Sequence, residues 1–444
     1  MAGIASCSNQ GLEPSAVDGP IDNNGNEPAS GHLRSAFGMT SFRAISFQAL
    51  IALSMLAFLE AAVRVGYTVQ LSLTKKTQWF VFSSDTGWER RPYFSGFDDC
   101  GEHRAFGRQG FLLSDVARLN NDRPGKFRAL FLGDSNTYGY CLEADETFVE
   151  VANRLLPDTS SINLGVPGYS SYQGYQALQK YGDQIKPNIL FVSFNFNDRR
   201  LVLDPGLTDG ETAFKQLLFS TRALQFAELS YLFGAARYLA QTLFPQGPQA
   251  SGYAPNARLD KLVARVSATG YRENLTKMVL WAQHRGIAVV FILLGDNPDQ
   301  TYLLREGIGL LSAGKYHEAI SKLESARDEG EDQTFSVLAR LYLAKAYEGA
   351  KLRGQAQEAL HMDDVFAGPH GGSPLLLDTE YQQIMRDVGA RYGVPVIDAV
   401  AELNVNADVY FDQCHFDKNG HEVVGRLIVN AIKTAKATAQ DVRR

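Results

Sequence analysis

Short blocks of consecutive apolar residues alternate along this chain with longer stretches in which apolar positions recur at helical spacing. The blocks are Phe127 to Leu132, Ser161 to Leu164, Ile189 to Phe194, Ile287 to Leu294 and Val394 to Ile397. They predict strands, and the stretches between them predict helices, one opening near Ala144. Strands alternating with helices predict a parallel sheet covered on both faces, because a parallel crossover needs a connection of helix length.

The pattern starts late and is interrupted twice. Residues 1–42 are rich in Gly, Ser, Asn and Pro with little to bury, the composition of a disordered segment. Met39 opens Met-Thr-Ser-Phe-Arg just before an apolar run, which suggests a chain start there. Ala44 to Val63 reads AISFQALIALSMLAFLEAAV with Glu60 as its one charge, about the 20 residues that cross a bilayer as a helix. Residues 43–66 are therefore expected to form an uncleaved signal anchor, with a buried core helix and a cleaved signal peptide as the other readings. Arg34 and Arg43 before it, and Arg64, Lys75 and Lys76 after it, leave its orientation unset. Residues 67–126, aromatic and turn-rich without a helical period, read as a lead-in segment packed on the core.

The α/β core is expected over 127–300 and 361–444, with a helical insert at 199–260. Its apolar stretch Phe214 to Leu243 suits a lid or a membrane-facing surface, the lid being the commoner case. A second insert, 301–360, carries Gly314-Lys-Tyr316-His-Glu-Ala319 and Leu341-Tyr-Leu-Ala-Lys-Ala346-Tyr347. That spacing resembles a tetratricopeptide (TPR) helix pair, with a plain helical hairpin as the equal alternative.

Composition narrows the function. At 444 residues, 45% apolar and 21% charged, the chain is globular and long enough for a catalytic domain with insertions. A net charge of −6 with dispersed Lys and Arg argues against a nucleic-acid partner. Four cysteines (Cys7, Cys100, Cys141, Cys414) form no C-x-x-C pair, and no His cluster has zinc spacing, so no structural metal is expected. One disulfide, with Cys100–Cys141 among the pairings, and small buried thiols both stay open.

Chemistry-bearing residues gather where the predicted strands end. Phe131-Leu-Gly-Asp-Ser135-Asn136 follows the first strand, Ile162-Asn-Leu-Gly165 the second, and Phe194-Asn195-Phe-Asn197-Asp198 the third; Asp412-Gln-Cys-His415 lies near the C-terminus. A serine hydroxyl needs a base to take its proton and a third group to orient that base. In an open α/β sheet the carboxyl edge is where such groups meet. A backbone N–H pair with an Asn amide also makes a donor set for an oxyanion, each donor worth ~3 kcal/mol in acyl transfer.

These four blocks, in this order, resemble the SGNH/GDSL hydrolase superfamily over roughly residues 85–298 and 361–435. The resemblance implies a three-layer α/β/α, flavodoxin-like fold with a parallel sheet. It implies Ser135 as nucleophile, His415 as general base and acid, and Asp412 as its orienting partner. The Ser135 N–H, Gly165 N–H and Asn197 amide would form the oxyanion hole, with no metal or cofactor. Where the family's third block opens with glycine, Asn195 stands here, expected to narrow the pocket or touch substrate.

The expected function is a membrane-anchored serine esterase hydrolysing or transferring short acyl groups, O-acyl esters of carbohydrate in particular. Its catalytic domain would face the periplasm or exterior from a bacterial-type inner membrane. The alternatives are a lysophospholipase or thioesterase fed from the bilayer, and a scaffold that binds a protein partner through 301–360.

Overall fold

The computed structural model describes residues 47–63, 79–83, 85–202, 208–209, 262–328, 333–360, 375–405 and 407–441. The chain divides into a short unit ending at Ala62 and a main unit from Val63 onward. In the first, residues 47–62 are helical, with Phe47, Leu53 and Phe58 exposed. Among the described residues no helix is long and apolar enough to cross a membrane, so the expected transmembrane span is not found. The segment 1–42 and the stretch Phe214 to Leu243 lie outside the described residues.

Five strands form the central sheet of the main unit: β1 (Phe127–Gly133), β2 (Thr159–Asn163), β3 (Ile189–Ser193), β4 (Ala288–Leu293) and β5 (Val396–Asp398). Their order is β5-β4-β3-β1-β2, and every pairing is parallel. The helices used below are α1 (Phe148–Leu155), α2 (Ser171–Ile185), α3 (Ala268–Gln283), α4 (Pro298–Ser312), α5 (Tyr316–Asp328), α6 (Gln333–Gly349), α7 (Arg353–Ala359), α8 (Thr379–Tyr392) and α9 (Lys418–Asp441).

Strand alternation separates two apolar layers. Leu130, Leu132, Leu190, Val192 and Phe291 face a core built with α2, α3 and α8. Ala129, Phe131, Phe191, Val290 and Ile292 face α1 and α9. In register, Phe131 pairs with Phe191, and their rings stack 4.6 Å apart. Both faces are therefore dry, each large side chain contributing ~1.5–3 kcal/mol on burial, and this is why the strands read as unbroken apolar runs.

The predicted strands all form, with ends shifted by a residue or two. Two local expectations fail. The helix expected from Ala144 begins instead at Phe148, as α1, where Thr147 caps it by accepting Glu150 N–H at 3.3 Å, and a separate single turn at Ser135–Tyr138 precedes it. The lead-in segment has more regular structure than its pattern suggests. It contains hairpins Phe80–Ser83 with Gly87–Arg90 and Ser95–Phe97 with His103–Ala105, then a helix, Leu113–Asn121. Cys100 and Cys141 are joined in a disulfide that ties the second hairpin to the loop following the Ser135 turn.

The second insert is four consecutive helices, α4 to α7, around an apolar core containing Leu304, Leu323, Leu338 and Leu343. That core continues into the α/β domain, since Phe196, Leu375 and Cys414 belong to it.

Candidate active site

β1 ends at Gly133, and the chain turns at once into the helical turn Ser135–Tyr138. A Cβ at Gly133 would lie 1.9 Å from Thr137 Oγ1 and 2.5 Å from Ser193 Oγ, so only glycine fits. Asp134 caps the turn, accepting Asn136 N–H at 3.1 Å and Asn197 Nδ2–H at 3.3 Å. Its burial pushes its carboxyl up to about 6 against the pull of these donors and of His415. From the neighbouring strand, Asn163 Nδ2 donates to the Thr137 carbonyl at 2.7 Å. Arg104, ion-paired to Asp98 at 3.0 Å, donates to the carbonyls of Gly139 and Leu142.

The Asp412 loop meets this turn from the other end of the chain. His415 Nε2 lies 2.7 Å from Ser135 Oγ, and His415 Nδ1 lies 2.5 Å from Asp412 Oδ2. An ionised carboxylate can only accept, so the Nδ1 proton points at Asp412 and Nε2 is left as the acceptor for the serine hydroxyl. The second Asp412 oxygen accepts the N–H groups of Cys414 and His415 at 2.8 and 2.7 Å. Burial would raise the Asp412 carboxyl, but the His415 ring and these amides outweigh it and hold it below the usual carboxylate range. The row Ser135–His415–Asp412 has the connectivity needed to make a serine hydroxyl nucleophilic.

The other expected residues divide. Asn197 is buried at the carboxyl edge beyond β3, its amide tied to Asp134. The Gly165 N–H, expected to be free, instead donates to Asn163 Oδ1 at 2.8 Å. Gly165 packs tightly, a Cβ there lying 2.4 Å from the Tyr138 N, so its smallness serves the approach of the two loops. Asn195 is also corrected: its Nδ2 donates to the Leu294 carbonyl at 3.2 Å, bracing the β3 and β4 ends rather than the substrate side. Asp198 accepts Ser171 N–H and Oγ–H and so fixes the start of α2.

Sequence reasoning missed several supports. Asn136 Nδ2 donates to the Cys414 carbonyl at 3.1 Å, joining the Ser135 turn to the Asp412–His415 loop. The His415 ring lies near two aromatic rings, Tyr140, with centroids 5.0 Å apart, and Phe411, at 5.8 Å. Arg199 forms a buried two-point ion pair with Asp296 at 3.0 and 2.5 Å. Adjacency to the four blocks pointed at Asn136 and Tyr140; nothing in the sequence pointed at Asp296, almost a hundred positions from Arg199.

Asp412, Cys414 and His415 place ligand-type atoms within 4.8 Å of one another. Burial raises the Cys414 thiol well above its ordinary value, keeping it neutral and a poor ligand, and Asp412 and His415 are already bonded to each other. A cleft of about 1400 Å³ lies at the opposite edge of the sheet, where Phe127, Ile189 and Ala288 begin their strands. It is remote from this chemistry, so its size does not make it the reacting site.

Residues 131–322 match the model of the GDSL-like Lipase/Acylhydrolase family. No curated protein matches the chain. Among solved structures, a lipase/acylhydrolase from Enterococcus faecalis is 17% identical, covering 69% of this chain and 96% of its own, with a TM-score of 0.34. A psychrotrophic esterase from Pseudoalteromonas sp. is 10% identical over 69% and 97%, with a TM-score of 0.33. An acetyl xylan esterase from Geobacillus stearothermophilus is 11% identical over 68% and 93%, with a TM-score of 0.31. The family match over residues 131–322, and not these low-scoring likenesses, is what indicates an ester-bond hydrolase, similar over that stretch to the GDSL-like lipase/acylhydrolases.

Proposed function

We propose that Ser135, His415 and Asp412 act as nucleophile, general base and acid, and orienting carboxylate of a serine esterase. The observation that carries this reading is the unbroken row from Ser135 Oγ through His415 to Asp412. Ser135 Oγ attacks the ester carbonyl carbon while His415 Nε2 takes its proton. As the tetrahedral intermediate collapses, His415 returns the proton to the departing alkoxide and leaves an acyl-serine. Water, deprotonated by the same imidazole, then attacks the acyl-serine and restores the enzyme. A sugar hydroxyl taking the place of water would make the reaction an acyl transfer. The Ser135 N–H and the Asn197 amide, held by Asp134, are the proposed oxyanion donors. Gly165 joins them only by releasing Asn163 Oδ1, so it is the weakest member of the expected set.

The proposed substrates are short O-acyl esters of carbohydrate. The support is the aromatic pair Tyr140 and Phe411, each packed near His415, since flat rings beside a site suit the apolar faces of sugars. A domain outside the reducing cytoplasm fits the Cys100–Cys141 disulfide. With the apolar segment 44–63, this favours tethering to an inner membrane and exposure to the periplasm or exterior. The likeness of α4–α7 to TPR helices rests on spacing and on consecutive helices sharing one apolar core.

The test is hydrolysis of p-nitrophenyl acetate, butyrate and octanoate by the full chain beside Ser135→Ala and His415→Ala. Loss in both variants, with acetate preferred, is the expected outcome. Activity surviving Ser135→Ala would sink the mechanism, and a steep gain with chain length would turn the substrate toward lipids.

A further inference from the structure

The first helix of the second insert begins on a residue that also holds the base loop. Asn297 caps α4 by accepting Asp299 N–H at Oδ1, 3.0 Å. Its Nδ2 donates to the Asp412 carbonyl at 3.1 Å, and its own N–H donates to the Gln413 carbonyl at 2.9 Å. The next residue of the loop is fixed from two other directions. Asn136 Nδ2 binds the Cys414 carbonyl at 3.1 Å, and the Cys414 side chain is buried in the insert's apolar core with Phe196 and Leu375. Three consecutive loop residues are thus held through their backbone or buried side chain, while Asp412 Oδ2 bonds His415 Nδ1 and His415 Nε2 faces Ser135 Oγ.

We propose that Asn297 is a positioning residue for the base loop, and that the α4–α7 insert is part of the catalytic frame and not a separable module. This rests on the triad reading above. The physical need is plain. Phe411 beside the triad is 47% exposed, and an irregular loop costs conformational entropy to hold in one shape. Reacting groups that drift by an ångström lose rate steeply. Two bonds from the rigid start of a helix supply the restraint, and they act on the backbone that carries Asp412, not on substrate.

The diagnostic change is Asn297→Ser, which keeps an oxygen able to cap α4 but removes the donor to Asp412. With p-nitrophenyl acetate, kcat should fall roughly tenfold with KM unchanged. In an Asp412→Ala background the same substitution should change kcat by less than about twofold, because the group it positions is gone. Equal factors in the two backgrounds, or no loss in the first, would overturn the positioning role. If Asn297→Ser does not fold, Asn297→Asp, which also retains a cap acceptor, carries the same cycle. Ser135→Ala run alongside separates the two ideas. Activity that survives it removes the triad reading, whereas activity that needs Ser135 but ignores Asn297 removes only this inference.

Discussion

The two loops that meet at the proposed site are held in different ways. The nucleophile turn, residues 133–139, is fixed mainly by near neighbours. Gly133 admits no other residue, Asp134 caps the turn two residues on, and the adjacent strand supplies Asn163. Ser135 itself is buried. The base loop, 410–417, closes its own short bridge between Tyr410 and Phe416 but otherwise leans on Asn297 and Asn136, more than a hundred positions away. In the proposed mechanism the serine is held still by its own strand and turn, whereas the base, which must swap hydrogen-bond partners during turnover, is held through its loop's backbone and the buried Cys414 side chain. The first kind of restraint is local and the second is tertiary.

The largest effect should come from the base loop. Asp412→Asn keeps the shape but cannot hold the Nδ1 proton, and kcat should fall by about 10⁴; steady-state hydrolysis measures it, and a loss under tenfold would argue that the carboxylate only pins the loop backbone. Gly133→Ala probes the nucleophile turn. With Thr137 and Ser193 in the way of its methyl, the turn must shift, and kcat should drop by about a hundredfold or more, with near-UV circular dichroism showing whether the fold survives. Unchanged kinetics would mean the turn is less tightly determined than described.

Replacing Cys100 and Cys141 together by Ser should lower stability by about 2–4 kcal/mol while kcat at 25 °C stays close to wild type, because Arg104 still grips the same loop through two carbonyls. A large fall in kcat would show that the disulfide, not Arg104, sets the turn. The smallest effect concerns His421, buried at the start of α9, where its Nδ1 accepts the Phe148 N–H at 3.0 Å. Burial pushes its pKa down to about 3 from 6.5. The unfolded chain takes up a proton below about pH 6.5 that the folded state refuses until about pH 3. Its contribution is therefore complete above pH 6.5 and is lost as pH falls. The stability difference between wild type and His421→Gln should shrink from pH 7 to pH 4 in thermal melts, and a constant difference would deny the burial of a neutral ring.

Much of this was legible before the structure. The apolar blocks gave the five strands because a sheet buried on both faces leaves no polar register to confuse with a helix. The approach of Ser135, Asn197, Asp412 and His415 to one place was legible because the first two stand in short blocks at strand ends and the last two in a short block near the C-terminus. Gly165 was misjudged because its donor is taken by Asn163, a contact across one residue that spacing does not reveal. Asn195 was misjudged because its partner, the Leu294 carbonyl, lies just past the end of another strand. Asn297 and the Arg199–Asp296 pair were invisible for the same reason, since their meaning lies in what the fold brings beside them. The hairpins of residues 80–105 went unseen because strands of three or four residues leave too short a pattern.

The most direct measurement is to treat the folded chain with an alkyl fluorophosphonate, digest it and locate the adduct by mass spectrometry. A single adduct on the peptide containing Ser135, lost in His415→Ala, is the expected result. An adduct on another residue, or none on a folded and otherwise active protein, would contradict a Ser135 nucleophile activated by His415.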